Sequence, residues 1–86
     1  MDADLLQARF FITRKEFNDA RRLLEALIAE HPGILGPLVL LSHALLQQGT
    51  DPAAAEQTLR DVLTMDPGNT EARQNLEVLL RKYQES

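Results

Sequence analysis

Apolar residues recur at helical spacing in five stretches, and turn-forming residues separate them. In the first, residues 3–14, apolar side chains stand at 5, 8 and 12 and at 6 and 10, with no Gly or Pro to interrupt them. Lys15-Glu16-Phe17-Asn18 is the predicted turn region, and Asn18 and Asp19 suit a helix start. A second helix over about 17–31 gathers Ala20, Leu24, Leu27 and Ile28 on one stripe and leaves Arg21, Arg22, Glu25 and Glu30 to water. Pro32-Gly33 ends it, because Pro disfavours helical backbone in the residue before it.

A third helix is expected from Pro37, whose missing N–H is harmless in a first turn, to Gly49, a natural left-handed stop. Leu38, Val39, Leu40, Leu41, Leu45 and Leu46 cover almost its whole circumference, so it is expected to lie at the centre of the domain. Asp51 as cap and Pro52 in the first turn open a fourth helix over about 52–65, which stops at Asp66-Pro67-Gly68. Asn69 caps a fifth, which runs to about Tyr83. Glu71 near its start and Arg81-Lys82 near its end complement the helix dipole. No stretch alternates as a strand does, so the fold class is all-α.

The pattern is used twice. Ala20 to Gly33, ARRLLEALIAEHPG, and Ala55 to Gly68, AEQTLRDVLTMDPG, align with Ala20 on Ala55, Leu24 on Leu59, Leu27 on Val62, Ile28 on Leu63 and Pro32-Gly33 on Pro67-Gly68. Before each copy stands a helix with a small residue, Ala8 or Ser42, followed by a bulky one, Phe11 or Leu45. A helix pair repeating at about 34 residues with this order of small residue, bulky residue, Ala, Leu and Pro resembles the tetratricopeptide family. The resemblance covers nearly the whole chain. It implies five antiparallel helices in a right-handed superhelix, with repeat one at about 1–34, repeat two at about 35–69 and a closing helix at about 70–83. Departures are present as well. Lys15 stands where the family has the turn Gly that Gly49 supplies in repeat two. Leu27 and Val62 stand where it prefers Ala, and Pro52 stands opposite the aromatic Phe17.

The two ends of the array differ. The closing helix has one apolar stripe of Ala72, Leu76, Leu79, Leu80 and Tyr83, and Glu77 takes the small residue's place, so it reads as a solvating cap. Helix 1 has apolar residues all round, and Leu6 and Phe10 are therefore expected to seek a neighbour, either a further repeat or a second copy of the chain.

Composition narrows the classes without naming one. The chain has 86 residues, 44% of them hydrophobic and 26% charged, which fits one small globular domain. A net charge of −4 argues against nucleic acid, which needs a basic cluster. No apolar run approaches a membrane span, and the acidic start MDADLL fits neither a signal nor a transit peptide. With no Cys, disulfides, thiolate metal sites and Cys nucleophiles are excluded, and a cytoplasmic location is expected.

Catalytic chemistry is not assembled by this sequence. His31 precedes a helix-ending Pro and matches Asp66 of the second copy, a turn position. His43 has no second metal ligand three or four residues away, where Val39, Leu40, Leu46 and Gln47 stand. Ser42 has no base on its own side of the helix, since His43 points about 100° away. All four glycines sit at helix ends. Glu56-Arg60 and Glu77-Arg81 read as helix-stabilising pairs on solvated faces. No cofactor, metal or catalytic residue is expected, and the chain reads as a non-enzyme.

The resemblance further implies that the first helix of each pair lines a concave groove. The residues so placed are Arg9, Ile12 and Thr13 from helix 1, Val39, His43, Leu46 and Gln47 from helix 3, and Gln74, Val78 and Arg81 from helix 5. Val78 lies off its own helix's apolar stripe, which agrees with a place in the groove. Some members of the family grip a terminal carboxylate with Lys, Asn and Arg. The matching places here hold Leu5, Arg9, Leu40, Glu71 and Asn75, so that clamp is absent. The expected function is a non-catalytic scaffold that binds a peptide segment or neighbouring domain, with micromolar or weaker affinity. Two other readings stay open: a spacer or substrate-presenting segment of a longer enzyme such as a glycosyltransferase, and a homodimer through helix 1.

Overall fold

A computed structural model describes residues 2–84. Five helices account for almost all of them: α1 Asp2–Thr13, α2 Phe17–Glu30, α3 Leu35–Gln48, α4 Pro52–Met65 and α5 Thr70–Gln84. No strand occurs among the described residues, and no described helix is long and apolar enough to cross a membrane. Connections of three or four residues fold each helix back on the one before it. Each helix packs on its chain neighbours, and α1 also touches α3. The body measures 39 × 27 × 18 Å. Its shortest dimension is about two helices deep, as expected for helix pairs stacked in one direction.

The helix ends show which local signals act. Asp51 caps α4, its Oδ1 accepting the Ala54 N–H at 3.1 Å with Pro52 in the first turn. Asn69 Oδ1 accepts the Ala72 N–H at 2.9 Å and caps α5 in the same way. Gly49 ends α3 in the left-handed conformation at φ 72°, its N–H bonded to the Leu45 carbonyl. Lys15 ends α1 in the same conformation at φ 62°, although it carries a Cβ.

Two expected boundaries shift. Helix α3 begins at Leu35 with Ile34 as its cap residue, not at Pro37. Pro37 falls in the third helical position, where the N–H still lacks an intrahelical acceptor, so the proline is tolerated two residues later than expected. Helix α2 is capped by Glu16 without a side-chain bond. Asn18 and Asp19 lie inside its first turn, and the Asn18 side chain instead accepts from Gln48 Nε2 at 3.1 Å. Of the two expected i, i+4 pairs, Glu56–Arg60 closes at 3.0 Å. Glu77 and Arg81 form no ion pair among the described residues.

The core runs along the repeat. Ala8, Leu24, Leu27, Leu38, Leu40, Leu41, Leu45, Ala55, Leu59, Val62, Ala72 and Leu79 form one buried cluster. Helix α3 contributes more to the interior than any other and packs on α1, α2 and α4, which makes it the central helix. Ala8, Ala20, Ala44 and Ala55 are buried almost completely. A methyl in place of a longer chain lets the facing helices approach closely at these points.

The ends of the stack remain unlike. Offset by 34 residues, Ala3, Leu6, Gln7 and Phe10 of α1 match Pro37, Leu40, Leu41 and Ala44 of α3. The α3 set is buried. The α1 set is exposed, with Leu6 and Phe10 each 58% accessible. The difference is the preceding helix α2, which α3 has and α1 lacks among the described residues. Glu77, on the closing helix, is exposed.

Candidate functional site: a trough across the first helices

Helices α1, α3 and α5 bring their polar and apolar residues together on one side of the molecule. Arg9, Ile12 and Thr13 of α1 line a hollow with Leu40, His43 and Gln47 of α3. His43 and Gln47 also line a second hollow, with Leu46 of α3 and Glu71 and Asn75 of α5. The two hollows adjoin at His43 and Gln47, and together they make up a trough over the three helices. Val78 borders a third hollow, farther along α5, that shares Leu46 and Asn75 with the second.

Seven of the ten residues expected in a groove line the trough or this third hollow. The other three sit elsewhere. Val39 is half-buried against the core, while Gln74 and Arg81 are exposed outside these hollows. Leu40, Glu71 and Asn75, which the resemblance sets at the places of the absent clamp, also line the trough, and the geometry adds Lys82 and Tyr83 at the third hollow.

The closest polar contact in the trough joins two helices. His43 Nε2 lies 2.6 Å from Glu71 Oε1, a bond between α3 and α5 across 28 residues of sequence. His43 therefore acts as a tie between first helices, and Glu71 puts negative charge beside the ring. At the other end of the trough Arg9 makes no ion pair among the described residues. The surface is thus graded, cationic at α1, apolar and amide-bearing in the middle, and anionic at Glu71.

The buried hydroxyls Ser42 and Thr58 have structural partners. Ser42 is buried and its Oγ donates to the Val39 carbonyl at 2.7 Å. Thr58 Oγ1 donates to the Ala54 carbonyl at 2.8 Å. His31 is exposed at the end of α2. Among the described residues no three His, Cys, Asp or Glu side chains gather in one place.

A polar seam behind the trough holds the two repeats in register. Arg21 Nη1 donates to Asp51 Oδ2 at 3.1 Å, while its Nε donates to Glu25 at 3.3 Å. Asn18–Gln48, close by, spans the same 30 residues of sequence. The Asp51 carboxyl is held below the ordinary Asp value of 3.8, first by the Ala54 N–H and then by the Arg21 guanidinium.

The family model of the tetratricopeptide repeat matches residues 2–33, which hold α1, its turn and α2. No curated protein matches the chain. Tetratricopeptide repeats are in general protein–protein interaction modules and are typically non-catalytic. The match over residues 2–33, together with a helix pair repeated once more before a closing helix, supports a tetratricopeptide-type repeat protein.

Proposed function

We propose that the chain is a non-catalytic scaffold that binds a segment of a protein partner along the trough of α1, α3 and α5. The observation that carries this reading is that two hollows lined by residues of α1, α3 and α5 adjoin at His43 and Gln47. Its middle is apolar and amide-bearing, suited to a segment with apolar anchors and free backbone groups. Arg9 at one end and Glu71 toward the other give the segment a direction, acidic over α1 and basic beside Glu71 in the first turn of α5. A trough this shallow supports micromolar or weaker affinity, about −8 kcal/mol or less favourable. The test is capture of a partner by the wild-type chain and by His43→Glu/Leu46→Glu with its helical circular dichroism unchanged. Loss of capture is expected; unimpaired capture counts against the reading.

A second reading concerns a different face. The exposed Ala3, Leu6, Gln7 and Phe10 stripe of α1 matches a stripe that α3 buries, and this supports helix packing on α1 by a second copy. Light scattering over a range of concentrations tests it. Mass that rises with concentration and falls back to monomer in Phe10→Glu is expected. A monomer at every concentration rejects it.

A further inference from the structure

A hollow of about 280 Å³ lies where α3, α4 and α5 meet. Leu45, Leu46, Pro52, Ala55, Val78 and Leu79 give it apolar walls, and Lys82 is the one charged residue on its lining. The repeat offers an internal standard for this place. At the corresponding positions of repeat one, Phe11 stands for Leu45, Phe17 for Pro52, and Ala20 for Ala55. Both Phe11 and Phe17 are half-buried. Repeat two keeps the small Ala but replaces two rings by a Leu and a Pro, and the hollow lies beside both replacements. An apolar cavity of about 150 Å³ already accepts benzene, so the room here is ample for one ring.

We propose that this hollow is an anchor site for an aromatic side chain of the partner segment, with an acidic residue beside it in sequence. The ring takes the place that phenylalanine occupies in repeat one, and the acid meets Lys82. Lys82 has no carboxylate partner among the described residues, and it stands 5.7 Å from the centre of the Tyr83 ring. Val78, 61% exposed, forms part of the wall. Its exposure, otherwise unfavourable for a large apolar side chain, is relieved when a ring covers it. The inference rests on the trough reading, since Leu46 and Asn75 belong to both hollows.

The test uses a short synthetic peptide with one central phenylalanine flanked by aspartates, titrated into the isotope-labelled chain. Amide shifts at Gly49, Val78 and Lys82 are expected. Replacing the phenylalanine by alanine is expected to weaken binding by about tenfold or more. Replacing the aspartates by lysines is expected to weaken it severalfold, less so at high salt. Two plugged variants, Pro52→Phe, which restores repeat one's residue, and Val78→Trp on the exposed wall, are each expected to weaken binding about tenfold while remaining helical. Binding that is indifferent to the ring, or unchanged in both plugged variants, overturns the proposal.

The outcomes also separate this inference from the reading beneath it. A natural segment lost on His43→Glu/Leu46→Glu but unaffected by either plug overturns the aromatic anchor and leaves the trough standing. Peptide binding that the plugs abolish and His43→Glu leaves intact supports the anchor and counts against the wider trough. Self-association of the free chain that Pro52→Phe abolishes assigns the ring to Phe10 of a second copy, and overturns a separate partner.

Discussion

His43 Nε2 and Glu71 Oε1 are 2.6 Å apart, so the central helix α3 holds the closing helix α5 across the floor of the trough. The pair is exposed, with the His43 side chain 34% and Glu71 65% accessible. Exposed pairs of this kind contribute about 0–1 kcal/mol. Glu71→Gln is therefore expected to shift the urea midpoint little. Its larger effect falls on recognition, because it removes the negative end of the trough. Affinity for a segment carrying acid beside position 71 should rise severalfold, and Glu71→Lys should raise it further. An acidic segment indifferent to both substitutions contradicts the charge grading.

Asp51 joins local and tertiary structure, since one carboxylate caps α4 and binds Arg21 of the preceding repeat. Its folded-state value lies below the ordinary 3.8, so the folded state holds this proton less tightly than the unfolded one does. The resulting stability is fully present above the unfolded value and is lost as pH falls through the folded one. Urea midpoints measured from pH 5 down to pH 2 should fall in the wild-type chain and fall less steeply in Asp51→Asn. That amide still accepts from Ala54 but carries no charge. Parallel curves would show that Asp51 contributes nothing to the acid response.

Lys15 and Gly49 close their helix pairs with the same left-handed turn, φ 62° and 72°. A side chain in that conformation is strained by about 1 kcal/mol, and glycine is not. Lys15→Gly should stabilise the fold by roughly 0.5–1 kcal/mol, and Gly49→Ala should destabilise it by a similar amount, read from chemical denaturation. No other atom lies within 4 Å of a Cβ built on Gly49, so the loss there is conformational and not steric.

Ala20 and Ala55, 0% and 1% accessible, sit where consecutive helices close on one another. Ala20→Leu or Ala55→Leu should cost about 1–3 kcal/mol by overpacking. Ala29→Leu, on the exposed side of α2, should change stability by less than about 0.5 kcal/mol. Equal effects at all three sites would deny the close approach.

These residues also mark what the sequence makes legible. Asp51-Pro52 and Asn69 announce the starts of α4 and α5, because capping is a local hydrogen bond that needs only a few neighbouring residues. Pro37 misplaces the start of α3 by two residues, because the whole first turn tolerates a proline. Asn18 looks like a cap but serves Gln48, a partner 30 residues away that periodicity does not reveal. A separation of 28 residues likewise hides His43–Glu71, since a search for helical neighbours stops at i±4. The hollow beside Pro52 had a visible signal, the replacement of Phe11 and Phe17 by Leu45 and Pro52 between repeats. Only the packing of α5 against α4 turns that mismatch into a place with walls.

We propose recognition on the side formed by α1, α3 and α5. A photo-crosslinking residue placed at Gln47, in the middle of the trough, tests it against the same residue placed at Glu25, exposed on α2. Both variants are irradiated with the bound partner and the adducts are resolved by mass. Adducts from position 47 and none from position 25 are expected, with His43→Glu/Leu46→Glu abolishing them. Adducts from position 25 alone, or equally from both, would contradict recognition in the trough.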